Sequence, residues 1–294
     1  NTAVGYDAGA AVTTGVQNTL IGGLAGDASQ TGDANVAVGY LSFSSVATGD
    51  NNTAIGSRSM FSNTSGSENT GLGKDALYSN TVGLYNTAIG EGALYSNVDG
   101  SRSVAVGRLA LYTQDPASAV DMYNVGVGYN AGGAVTTGIQ NTLIGGLAGD
   151  AITTGQYNVA IGVDALSVED TASKSVAVGT SALAVQNAGT VDAYNVAVGH
   201  NSGVNVTTGV NNTLIGGLAG DALTTGADNV AIGINALGAA DTSNRNVAIG
   251  RAALGAYNPS GNEDGYHVAI GYDALTTNST ATQNTAVGGL TLRA

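Results

Sequence analysis

The sequence predicts an all-β chain, a parallel β-solenoid of about seventeen 17-residue coils. Three observations predict it. A pentad of the form Asn-(Thr/Val)-Ala-(Val/Ile)-Gly recurs from one end to the other, and the 46 glycines of the 294 residues fall largely at fixed places in that repeat. The apolar content is Ala, Val, Ile and Leu, with two Phe, two Met and no Trp, so the large side chains that fill a thick globular core are missing.

The pentads begin at residues 1, 18, 35, 52, 69, 86, 103, 124, 141, 158, 175, 195, 212, 229, 246, 267 and 284. Thirteen of the sixteen intervals are 17 residues and the others are 21, 20 and 21, a strictness that marks one structural unit copied along an axis. The second pentad position is always Thr or Val and the fourth Val, Ile or Leu, side chains suited to a pleated strand. The first is Asn in fourteen copies, with Ser103, Ser175 and His267 as the exceptions, and the fifth is always Gly. Further along come a small residue and then Leu, Gly, Phe or Met, as in Ala76-Leu77, Ala165-Leu166 and Ser202-Gly203. Ten of the thirteen complete unexpanded coils carry Gly at position 15, often as Thr-Thr-Gly, as at 13–15, 136–138 and 207–209. Each unit reads as strand, Gly turn, shorter strand, Gly turn. Strands this short gain stability only by stacking in parallel on the copies above and below. Gly density and short apolar runs exclude helical repeats. At about 4.8 Å per layer, the stack is expected to be roughly 80 Å long.

Along the pentad, the Thr/Val and Val/Ile side chains point one way and Asn, Ala and Gly the other. With the small side inward, the interior is thin and an aliphatic strip lies bare outside. That strip exceeds the contiguous apolar surface soluble monomers usually tolerate, and the same strip on symmetry-related copies would cover it. The opposite assignment, aliphatics inward, suits a fatter monomeric solenoid. The stacked Asn residues are expected to bond amide to amide, as in cross-β ladders.

Asn52-Thr53-Ala54-Ile55-Gly56 and Asn86-Thr87-Ala88-Ile89-Gly90-Glu91-Gly92-Ala93-Leu94-Tyr95-Ser96-Asn97 resemble the head repeats of trimeric autotransporter adhesins, the YadA-like left-handed parallel β-roll. They are still more similar to the longer variant of that repeat in bacteriophage tail fibres. The resemblance covers essentially the whole chain. It implies a homotrimer, a left-handed coil and attachment at a cell or virion surface, hence an extracellular location. The period here is longer than in the adhesin heads, so the turn is expected to be longer too.

The chain reads as one repeat domain, 1–294: a first block 1–123 with the expanded coil 103–123, four-coil blocks 124–194 and 195–266, and terminal coils 267–294. Asn18-Thr19-Leu20-Ile21-Gly22-Gly23-Leu24-Ala25-Gly26-Asp27 returns almost unchanged at 141–150 and 212–221, which marks block duplication. The first residues already fall inside a repeat, as expected of a piece of a longer chain. The expanded coils are the seventh, eleventh and fifteenth, so an outsized loop recurs every fourth layer. These loops, about 112–123, 184–194 and 255–266, hold both prolines, Pro116 and Pro259, where no ladder hydrogen bond is needed. Their carboxylates Asp115, Asp121, Asp192, Glu263 and Asp264, with the edge tyrosines Tyr123, Tyr194 and Tyr266, are the candidate binding residues, since exposed Tyr commonly grips sugars and proteins. These tyrosines, with Tyr85 and Tyr157, are expected to stack in a partial column; packing of turns against neighbouring coils is the alternative role.

Eight Lys plus Arg against 21 Asp plus Glu give a net charge of −13, which repels phosphate backbones, so no nucleic-acid partner is expected. No run of 18 apolar residues exists, so no membrane insertion is expected. The absence of Cys removes disulfides and thiolate sites. The loop carboxylates follow neither the EF-hand order nor the Gly-Gly-x-Gly-x-Asp calcium repeat, Asp27, Asp150 and Asp221 are expected to face water, and His200 and His267 lack a carboxylate pair. His267 reads as a replacement for a ladder Asn. Gly22-Gly23-Leu24-Ala25-Gly26 lacks the Lys and the helix of a phosphate loop. No catalytic residue, metal or cofactor is therefore expected, and the chain is read as a non-enzymatic fibre. The expected role is shaft or head of a tail fibre or bacterial surface adhesin, with itself and a cell-surface glycan or protein receptor as partners, engaged multivalently. Alternatives are an ice-binding solenoid, whose Thr-Thr-Gly array is broken at Ala172, Ser243 and Ala281, and a polysaccharide-cleaving solenoid, which needs carboxylates clustered on one face.

Overall fold

The computed structural model describes residues 1–45, 47–258, 263–277 and 280–293. It contains two units, Asn1–Gly146 and Leu147–Ala294, each a parallel β-solenoid without a helix among the described residues. In the first unit nine three-residue strands run from Thr2–Val4 to Thr142–Ile144; in the second, eight run from Val159–Ile161 to Thr285–Val287. Every strand is the middle of a pentad. Neighbours pair in parallel, one coil in register with the next, as Thr53↔Thr70, Ala54↔Gly71 and Ile55↔Leu72 show. The expanded coils do not disturb this register: Val104 pairs with Val125, Val176 with Val196 and Val247 with Val268. Extra residues leave the ladder and return to it, so function can be carried in loops at no cost to the stack.

The small side of the strand faces inward. Ala37, Ala54, Ala88, Ala160 and Ala231 are fully buried, while the flanking Thr, Val and Ile are half-buried or exposed. Numbering positions within a coil from the first pentad residue, the core is one side chain thick, made by positions 3, 8, 9 and 12. Volume is balanced across it. Where position 3 is Ala, position 9 is mostly a buried Leu, Phe or Met, as at Leu94, Phe43 and Met60. Where position 3 is Leu, position 9 is Gly in the same coil and in the one before it. A Cβ on Gly26 would stand 2.7 Å from Leu20 Cδ2, and one on Gly220 2.7 Å from Leu214 Cδ2. A core this thin has no room to redistribute a methylene.

The shorter second strand read from the sequence is absent among the described residues. Its place is taken by a run in which positions 7 and 9 both have positive φ, such as Asp75 (+58°) and Leu77 (+52°), or Leu109 (+59°) and Leu111 (+48°). Their amides point in opposite directions along the stack. Asp75 N–H donates to Ser57 O of the coil before (3.0 Å), Leu77 N–H to Ala93 O of the coil after (3.0 Å). Inter-coil bonding thus continues without β dihedrals. Each left-handed Leu costs about 1–2 kcal/mol; at position 9 burying the side chain contributes about 1.5–3 kcal/mol, while at position 7, where Leu109 is only half-buried, the bonded amide offsets part of the cost. At the pentad Gly the residue type is forced: Gly56 has φ +131°, and a Cβ there would lie 2.5 Å from Gly73 O in the next coil.

The Asn column serves the backbone more than itself. Asn35 Oδ1 accepts the Asn52 N–H at 2.9 Å, and Asn35 Nδ2 donates to Gly49 O at 2.9 Å, closing the coil onto its own start. The expected amide-to-amide bonds appear in part, as from Asn52 Nδ2 to Asn35 Oδ1 (3.1 Å). Where Ser replaces Asn, a Gln at position 12 supplies the missing amide. Gln186 Nε2 donates to Ser175 Oγ (2.9 Å) while its Oε1 accepts from Asn195 Nδ2 (2.8 Å), and Gln114 does the same beside Ser103.

His267 takes the Asn role as read from the sequence. Its Nδ1 accepts the Asn284 N–H (3.3 Å), its own N–H donates to Asn246 Oδ1 (3.3 Å), and Tyr257 packs edge-on at 4.4 Å. The ring is 1% exposed, and burial lowers its pKa below the ordinary 6.5. The folded state therefore binds this proton less readily than the unfolded state. Above about pH 6.5 the ring is neutral in both states and costs nothing; as pH drops below that value the unfolded state is protonated first, and stability falls. Denaturation midpoints at pH 7.5 and 5 should differ in the wild type, and His267→Asn should remove the part of that difference due to this residue.

Candidate functional site

The three expanded loops return to the ladder through isolated bridges, Ser101↔Asp121, Ser173↔Asp192 and Asn244↔Asp264. Each return is an Asp-x-Tyr tripeptide whose Tyr has positive φ (+51°, +49° and +48° at Tyr123, Tyr194 and Tyr266). The middle residue, Met122, Ala193 or Gly265, is buried; Asp121, Asp192, Tyr123, Tyr194 and Tyr266 face outward, and Asp264 is half-exposed.

A cation from the coil before closes each return into a triad. Arg102 pairs with Asp121, and its guanidinium sits between Tyr85 (5.1 Å) and Tyr123 (5.9 Å). Lys174 Nζ bonds Asp192 Oδ2 (2.6 Å) and Tyr194 Oη (3.1 Å). Arg245 pairs with Asp264 and donates to Tyr266 Oη (3.2 Å). In all three the Tyr hydroxyl also donates to the carboxylate, at 3.4, 3.3 and 3.2 Å. The ion pairs raise the pKa of Arg102 and Lys174 and lower that of Asp192; for Arg245 the first cause of the rise is its bond to Tyr266. Exposed pairs of this kind stabilise little individually. Their effect is geometric, because both ends of each loop return are held by bonds of fixed direction.

Asp121, Tyr123, Asp192, Tyr194, Asp264 and Tyr266 are thus brought together in pairs, each with a cation. Asp115 lies apart, half-buried at position 13, with its N–H donating to Thr136 O (3.1 Å). Glu263 is exposed, and residues 259–262 of its loop, with Pro259, lie outside the described residues. The sequence reading missed Arg102, Lys174 and Arg245, although a signal was present: each directly precedes the pentad of an expanded coil.

The aromatic column lies elsewhere than expected. Phe61, Tyr78, Tyr95 and Tyr112, at position 10 of four successive coils, stack with centroids 5.2, 5.0 and 5.0 Å apart. The edge tyrosines of the first unit instead alternate with Arg102. Asp27, Asp150 and Asp221 do not simply face water: all three are half-buried, and Asp27 Oδ1 is buried without a hydrogen-bond partner. The hydroxyls of Thr13, Thr207 and Thr224 donate to carbonyls of the next coil (2.9–3.1 Å), so the first Thr of these Thr-Thr-Gly turns is engaged along the stack, while the second, as at Thr14, Thr208 and Thr225, is exposed. Among the described residues no group of three or more His, Asp and Glu is placed to hold a metal ion.

Comparison with known proteins gives no match: no family model fits the chain, and no curated protein or solved structure aligns with it significantly.

Proposed function

We propose that the chain is part of a homotrimeric attachment fibre, of the tail-fibre or surface-adhesin kind, which presents its expanded loops to a glycan or protein on a cell surface. The observation that carries this reading is the bare outer face of the strands. Ile21, Ile144, Ile161, Val198 and Ile215 are 36–39% exposed, one in each of their coils, in line with half-exposed Thr and Val. A repeating aliphatic surface of this kind is stable in water when something covers it, and a strip that repeats coil by coil is matched by the same strip on another copy. The left-handed coil implied by the adhesin-like pentads belongs to the same proposal. The triads support the loop assignment. A loop whose return is fixed before contact loses less entropy on binding, and repetition in successive blocks lets weak contacts add through avidity.

Sedimentation equilibrium of the wild type should give three times the monomer mass. Ile215→Glu, which places a charge on the outer face without touching the core, should shift the mass toward one chain. A monomeric wild type would overturn the proposal.

A further inference from the structure

In the second unit, position 10 of four successive coils is Asp221, Gly238, Gly255 and Thr276. Two missing side chains leave a trough of about 470 Å³ there, walled by Leu218 and Ala252 and ended by Asp221 and Thr276. The volume suits a small ligand.

The first unit shows what fits this column. Its position 10 carries four flat rings, one per coil, within 17° of parallel, with the Arg58 guanidinium 5.3 Å from the Tyr78 centroid and bonded to Asp75 (2.8 Å). Rings at coil spacing, a cation beside them and a carboxylate holding the cation are the filled form of the groove. In the second unit the rings are absent at Gly238 and Gly255, and a carboxylate, Asp221, stands in the ring column itself, one coil before the gap. Asp221 is half-buried, and its Oδ1 lies 3.5 Å from where a Cβ of Gly238 would be, beside the gap. Burial also raises its pKa, the mark of a carboxylate short of solvation. With a chain charge of −13, the field around the trough attracts cations.

We propose that this trough binds a planar aromatic cation, its rings over Gly238 and Gly255 and its charge against Asp221. The site does not depend on the fibre proposal, since it is built from one chain and none of its lining residues belongs to a strand.

Thioflavin T, a planar benzothiazolium cation, serves as the probe, titrated by fluorescence and calorimetry against an uncharged benzothiazole analogue. The wild type should bind one equivalent of the cation per chain. Gly238→Tyr should weaken binding at least tenfold, because it restores the ring that Tyr78 and Tyr95 supply in the other unit. Gly238 does not have positive φ, and the closest neighbour of an added Cβ is Asn235 O at 3.1 Å, which has to give by only a few tenths of an ångström. Asp221→Asn, nearly isosteric and so safe for folding, should weaken the cation about fivefold and leave the uncharged analogue unaffected. Binding that is unchanged in either variant, or several equivalents of dye bound per chain, would overturn the proposal.

Discussion

Leu20→Ala should destabilise the first unit by about 2–5 kcal/mol, the usual range for a large-to-small change in a core that cannot collapse. Gly26→Leu should cost about 2–5 kcal/mol, from overpacking together with a left-handed side chain. Combined, the two changes should cost less than the sum of the two. Gly26 has φ +57°, and the three atoms nearest an added Cβ all belong to Leu20. The double variant recreates the Ala-and-Leu arrangement of the coils at 86 and 158, where Leu94 and Leu166 sit at φ +51° and +53°. Recovery should be incomplete, because Leu20 also fills the space beside Gly9, whose Cβ would lie 2.8 Å from Leu20 Cδ1. Urea denaturation of the four proteins of the cycle measures the coupling, and values of about 1–3 kcal/mol are expected for side chains in contact. A coupling near zero would mean that the core is not balanced coil by coil.

The same balance explains what could be read from sequence. The strands were legible because alternation and a fixed period act together: most pentads repeat Ala inward and Val or Ile outward, and one misplaced coil would reverse every face. The second half of the coil was misread for a physical reason. Positive φ is ordinarily inferred from Gly or Asn, and here positions 7 and 9 hold Leu, Met, Phe and Arg in that conformation, paired along the stack rather than favoured locally. Burial and inter-coil bonding override residue preference, which no single coil reveals. The loop carboxylates were found from composition, but their partners Arg102, Lys174 and Arg245 lie 18 or 19 residues earlier, separated in sequence by an entire coil. The trough at Gly238 and Gly255 was invisible because an absent side chain has meaning only against the aromatic rungs that fill the same column in the first unit.

The Asn column is where a single change should do most damage outside the apolar core. Asn212 is fully buried; its Oδ1 accepts the Asn229 N–H (3.1 Å) and its Nδ2 donates to Gly226 O (2.9 Å). Asn212→Ala removes both partners at once in a place water cannot reach. With each orphaned group costing about 1–3 kcal/mol, a loss of about 2–6 kcal/mol is expected. The protein itself supplies the rescue. In the coils that begin with Ser103 and Ser175, a position-12 Gln carries the amide that the Ser lacks, and position 12 of the Asn212 coil is Leu223, also fully buried. Asn212→Ser and Leu223→Gln should each destabilise alone, the first through lost bonds and the second by burying an unpaired amide. Together they should cost less than the sum by more than about 1 kcal/mol. An additive result would show that the Gln residues beside Ser103 and Ser175 merely occupy space, and that the continuity of the polar column is not what holds successive coils in register.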